Sequence, residues 1–172
     1  YGINLGANWN GIGLSVFFQG IMKKDWYPGG ESGFFWGQYN RPYGFSLPWH
    51  NTDRWTEENP DTNAYWPRLR SYLSSTGRGT LRAANDKYLQ NARYCRLKNI
   101  TIDYTLPASL TKKISLQHVK VYVSGENLFY WSPLKKYAKN FDPEQITAGD
   151  SDYSAIDGTD GQGYGYPQTK SI

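Results

Sequence analysis

Asn99-Ile100-Thr101-Ile102-Asp103-Tyr104-Thr105-Leu106 puts Ile100, Ile102, Tyr104 and Leu106 on one side of an extended chain, and Asn99, Thr101, Asp103 and Thr105 on the other. That is period two, the signature of a strand with one apolar and one polar face. The same alternation recurs on both sides of it. Downstream, Val119, Val121, Val123, Phe129 and Trp131 share a face opposite Lys120, Tyr122, Ser124 and Glu126. Upstream, Ile3, Leu5, Ala7 and Trp9 alternate with Gly2, Asn4, Gly6 and Asn8. Asn10-Gly11 then predicts a tight hairpin turn, because both residues tolerate positive φ. The return stretch sets Leu14, Val16, Phe18 and Met22 on one face and Ser15 and Gln19 on the other, with Phe17 and Ile21 blurring the polar side.

The expected strands cover about 1–9, 12–24, 91–106, 117–131 and 165–172, the last one cut short. Short links, Asn10-Gly11 and Pro107 to Leu116, alternate with long ones at about 26–90 and 132–165. Loops of that length are uncommon in compact domains unless they have a function. The alternation places every long loop at one end of the sheet. Short turns at one end and long loops at the other belong to an outer-membrane barrel. Lipid cannot satisfy free backbone groups, so such strands require a closed cylinder, and five strands are too few to close one. The chain is therefore expected to be a piece of a longer protein, as its start at Tyr1 in mid-pattern and its stop at Ile172 also suggest. A soluble β-sandwich has the same alternation and stays open on these grounds.

Composition removes other classes. The chain has 172 residues, 38% hydrophobic, 20% charged and 17% aromatic, and no apolar run long enough for a spanning helix. One cysteine excludes an internal disulfide framework and any multi-cysteine metal site. A net charge of +4 is too mild to point to nucleic acid. Trp9, Trp26, Tyr27, Tyr104, Phe129, Tyr130 and Trp131 fall at strand ends, where amphipathic rings suit a bilayer interface, although aromatics also favour strands in general.

Longer stretches are more specific. Residues 88–107, from Tyr88-Leu89-Gln90-Asn91-Ala92-Arg93 to Leu106-Pro107, resemble a signature of the SusC/RagA-type TonB-dependent outer-membrane transporters of Bacteroidetes. Residues 119–129, 16–20, 25–29, 53–60, 137–144 and 165–172 resemble further segments of that family, in family order. The resemblance implies an all-β chain forming the last strands of a large, 22-stranded antiparallel transmembrane barrel with long extracellular loops. Residues 1–172 would be the C-terminal part of that barrel, and the plug domain would lie outside them. It also implies TonB-dependent uptake of oligosaccharides or peptides. A SusD-like surface lipoprotein would be the lid, and TonB–ExbB–ExbD would supply energy through the plug.

Enzyme chemistry has weak support. Asp142 and Glu144, and Glu57-Glu58, are loop carboxylates that nothing positions for acid–base work on a glycoside. His50 and His118 have no partner at metal-ligand spacing. Cys95 lies beside Arg93 and Arg96 without a base and reads as a wall residue. Asn99-Ile100-Thr101 matches a glycosylation sequon in mid-strand of a chain of bacterial type, and is discounted. Thr76-Gly77-Arg78-Gly79-Thr80 lacks the rest of a phosphate-binding loop. No cofactor is expected. Asp150, Asp152, Asp157 and Asp160 are the one tract that could take Ca²⁺, and a solvated acidic loop is the plainer reading.

The ligand expectation rests on the first long loop, with Trp26, Trp36, Trp49, Trp55 and Trp66 among further aromatics. Aromatic faces stack on the apolar faces of sugar rings. The alternative is that these rings fold the loop on itself or pack against a lid. Trp55 lies in a family-like segment and is expected to be structural, which leaves Trp36 and Trp49 as the candidate ligand-binding residues.

Overall fold

A computed structural model describes residues 1–29, 32–39, 44–69, 85–146 and 168–172. Six strands are described: β1 (Gly2–Trp9), β2 (Ile12–Ile21), β3 (Asp25–Trp26), β4 (Gln90–Asn91), β5 (Tyr94–Thr105) and β6 (Lys120–Trp131). Short helices α1 (Gly33–Trp36), α2 (Pro48–Thr52) and α3 (Ala108–Thr111) lie in the connections. The chain divides into a sheet unit, made of Tyr1–Met22, Arg93–Ser132 and Gln168–Ile172, and a loop unit, made of Lys23–Ala92 and Pro133–Pro167.

The sheet unit is one antiparallel layer in the order β1-β2-β5-β6. Asn10 (φ 51°) and Gly11 (φ 88°) close the first hairpin, and a Cβ on Gly11 would stand 2.9 Å from the Thr105 carbonyl oxygen. Register carries single rows of side chains across all four strands. Ala7, Leu14, Ile102 and Val123 form one such row, and Trp9, Ile12, Tyr104 and Val121 the next. The intervening rows on the other face are small or polar, for instance Gly6, Ser15, Thr101 and Ser124. A one-residue slip would swap these faces, so the alternation fixes the register.

Two irregularities adjust the loop-side half. Pairing skips Lys98 in β5 and steps past Asn127 and Leu128 in β6. Asn127 takes φ 53°, and Leu128 folds back over Gly125, where a Cβ would meet it at 2.7 Å. These bulges keep Leu97 and Phe129 on the apolar face beyond the kink. β2 ends at Ile21, earlier than the alternation suggests, because the chain turns off so that Lys24 accepts the Ala92 N–H and β3 pairs with β4. For the same reason β5 starts at Tyr94. Of the fifth expected strand, Ser171 exchanges two backbone hydrogen bonds with Glu126 on β6, and residues 165–167 lie outside the described residues.

The apolar face of this sheet is open. Ile102 is 53% exposed, Val121 58% and Phe129 60%. A sandwich would bury these side chains under a second sheet, and none covers them among the described residues.

The loop unit is built differently. Trp26, Phe35, Trp36, Tyr39, Trp66 and Tyr88 from the first long loop form a buried cluster with Leu134, Ala138, Phe141 and Ile146 from the second. Both long connections therefore share one core.

Candidate functional site

The lipid-facing surface follows from the rows. Aliphatic Leu5, Leu14, Val16, Ile100, Ile102 and Val123 occupy the middle of the apolar face. Trp9 and Tyr104 stand at the short-turn end, and Phe129 and Trp131 at the loop end. An aliphatic band between two aromatic rims matches the layering of a bilayer. The Arg93 guanidinium lies 5.5 Å from the centre of the Trp131 ring, a cation at the rim.

The opposite face has the chemistry of a water-filled or protein-packed interior. Asn4, Asn8, Ser15, Thr101 and Ser124 line its short-turn half. Lys120 Nζ meets Asp103 Oδ1 at 3.0 Å. Gly13, opposite Asp103, has no Cβ because one would stand 2.6 Å from that carboxylate. Toward the loop end the Arg96 guanidinium stacks over Tyr130 at 4.9 Å.

Trp66 is the hub of the loop unit. Its ring stacks on Tyr39 at 4.9 Å and 13°, lies beside Tyr88 at 5.6 Å, and meets the edges or tilted faces of Phe35, His50, Tyr65 and Trp36. Backbone bonds from Trp66 N to the Asp53 oxygen and from Trp55 N to the Trp66 oxygen hold it in place. The second loop is tied in through Tyr137, which stacks on Tyr65 at 3.8 Å and donates to Asp53 Oδ2 at 3.0 Å. Lys24 Nζ donates to the Pro143 oxygen at 2.7 Å, and burial lowers its pKa. Burial likewise pushes the Tyr88 phenol up to about 12, while the same group donates to the Tyr65 oxygen.

His50, without a partner in the sequence reading, has two in the structure. Its Nδ1 accepts the Leu47 N–H at 3.0 Å, so Nε2 carries the proton and donates to the Phe35 oxygen at 2.7 Å. Burial lowers its pKa and keeps it neutral. Its partners belong to the start of α2 and the end of α1, so this residue pins fold rather than binding metal.

The candidate ligand residues part company. Trp36 is fully enclosed, its indole N–H shared between the Pro28 and Gly29 carbonyls at 3.2 and 2.9 Å. Its ring serves packing. Trp49 sits at the margin of the core, half-buried, its indole nitrogen without a hydrogen-bond partner among the described residues. Trp55, expected to be structural, lines a cavity of about 420 Å³ with Asp61, Thr62, Trp66, Arg68 and Lys87 among its walls. Sequence reasoning missed this cavity because Trp55 and Lys87 are far apart along the chain.

Asp142 caps its own turn by accepting the Glu144 N–H at 3.0 Å, and Glu57, Glu58 and His118 are exposed. No cluster of three metal-ligating side chains occurs among the described residues. The acidic tract 150–160 and the 76–80 segment lie outside them.

Comparison with protein families finds no match. TonB-dependent receptor P3 of Formosa agariphila is 34% identical over 74 residues, which is 43% of this chain and 6% of that protein. The RagAB peptide importer in its closed-closed state superposes with a TM-score of 0.59 at 29% identity, over 83% of this chain and 14% of the importer chain. A further structure of the RagAB peptide transporter gives 0.58 with the same coverage. This chain resembles a segment of a RagA-type TonB-dependent receptor. Its sheet matches a piece of an outer-membrane β-barrel wall, which accounts for an apolar face that none of the described residues covers. The segment spans only a small part of the relatives it matches.

Proposed function

We propose that the complete receptor imports nutrients across the outer membrane, by TonB-dependent uptake of oligosaccharides or peptides. In this reading residues 1–172 supply the last strands of a 22-stranded barrel and two of its outer loops. A SusD-like surface lipoprotein closes the outer mouth, and TonB–ExbB–ExbD drives a plug that lies outside these residues. Trp49, half-buried at the margin of the core, is the indole assigned to cargo. The segment itself performs no bond-making: lipid-facing side chains hold the wall, and polar ones line the path.

The observation that carries this reading is the two-faced single sheet, apolar and open on one side, small and polar on the other. The likeness to RagAB, which is named a peptide importer, supports uptake as the task. Deletion of the complete gene in its host is expected to abolish growth on one class of oligosaccharide or peptide while leaving growth on monomers intact. Unchanged growth on every oligomeric nutrient would remove the transport reading. Co-purification of the tagged receptor with a surface lipoprotein tests the lid.

A further inference from the structure

We propose that the cavity lined by Trp55, Asp61, Thr62, Trp66, Arg68 and Lys87 is a subsite for a carboxylated sugar residue. This rests on the uptake reading and specifies the cargo class of that same loop unit. At about 420 Å³ the cavity falls in the range of small-molecule sites.

Its walls offer a particular set of groups. Trp55 is partly exposed and presents an aromatic face. Trp66 is wholly buried, and its indole N–H has no acceptor among the described residues. Lys87 Nζ uses one hydrogen on the Ala64 carbonyl at 2.9 Å and retains two more. Arg68 is exposed at the wall, with a guanidinium fork suited to two carboxylate oxygens. Asp61 accepts the Asn63 N–H through Oδ1 at 2.8 Å, which fixes its carboxylate and leaves Oδ2 for a hydroxyl.

Two cations against one carboxylate select an anion. An aromatic face beside them selects a ring with an apolar side. A sugar acid has both, together with hydroxyls for Asp61 and Thr62. A neutral sugar has the ring without the anion, and a peptide C-terminus the anion without the ring.

The test uses the complete receptor in detergent, titrated by calorimetry with trigalacturonate, maltotriose and a neutral tripeptide. Trigalacturonate is expected to bind about ten-fold tighter than either competitor, and to lose that advantage as salt is raised. Arg68→Gln is expected to weaken trigalacturonate about ten-fold and to leave maltotriose unchanged. Trp55→Ala should weaken both sugars. Lys87 also holds the Ala64 carbonyl, so Arg68→Gln, which leaves that bond intact, carries the charge test. Equal binding of the acidic and neutral sugars, preference for the tripeptide, or no effect of Arg68→Gln would overturn the assignment. Uptake assays in cells separate the two ideas: transport without charge preference defeats only the subsite, whereas no transport of any oligomer defeats the uptake reading itself.

Discussion

The sheet unit leaves its largest apolar side chains in the open, and the loop unit encloses its own. Trp9 is 76% exposed, whereas Trp66 is 0% exposed. Both are tryptophans in aromatic-rich surroundings. The difference lies in what surrounds them: hydrocarbon solvates the outer face of a barrel wall, while a loop in water must bury its rings against each other. Exposure of apolar surface thus signals membrane in one unit, and burial signals an ordinary aqueous core in the other.

The strongest way to break this contrast is Trp66→Ala. Removal of the ring at the hub is expected to cost the loop unit about 3–5 kcal/mol. Hydrogen exchange in the complete receptor should show lost protection at Asp53–Trp66, with the barrel still resistant to unfolding by detergent in a gel-shift assay. Equal loss in both units would mean that they do not fold as separate cores.

The next is a charge on the wall. Ile102→Arg places a cation in the apolar band and is expected to cost roughly 2–4 kcal/mol of barrel stability. Thr101→Arg, one residue away on the polar face, should cost far less. Denaturant unfolding in lipid vesicles checks the pair, and similar losses would contradict the assignment of faces. A smaller effect comes from the first hairpin: Gly11→Ala forces a side chain into positive φ against the Thr105 carbonyl, at about 1–2 kcal/mol. It should slow refolding of β1 on β2 without touching the loops.

The pH dependence sharpens the comparison from the loop side. His50 has a folded pKa below its usual 6.5, so the unfolded loop binds the extra proton more readily. Its contribution is full above that value and declines as pH falls through the lower, folded pKa. Loop protection should therefore drop under mildly acid conditions while the sheet holds, and His50→Gln should flatten the profile. The smallest expected change is Lys120→Met. A half-exposed ion pair is worth under about 1 kcal/mol, so only a minor shift in the denaturation midpoint is anticipated.

Much of the wall was legible residue by residue. Alternation through Asn99–Leu106 fixed which side of β5 is apolar, and Asn10-Gly11 fixed the turn that brings β1 beside β2. The bulges at Lys98 and at Asn127–Leu128 were not legible, since skipped residues leave the composition of a strand unchanged. The site was less readable than the wall. Trp36 and Trp49 looked alike in sequence, yet one is enclosed by ring neighbours and the other lies at the margin of the core.

Period-two patterning and turn chemistry are local, so the chain itself settled the identity and facing of the described strands. Which rings meet at Trp66, which nitrogen of His50 carries a proton, and which distant residues line the Trp55 cavity depend on contacts between positions tens of residues apart. Such contacts are set by packing volume and hydrogen-bond geometry in three dimensions, and no short stretch of sequence encodes them.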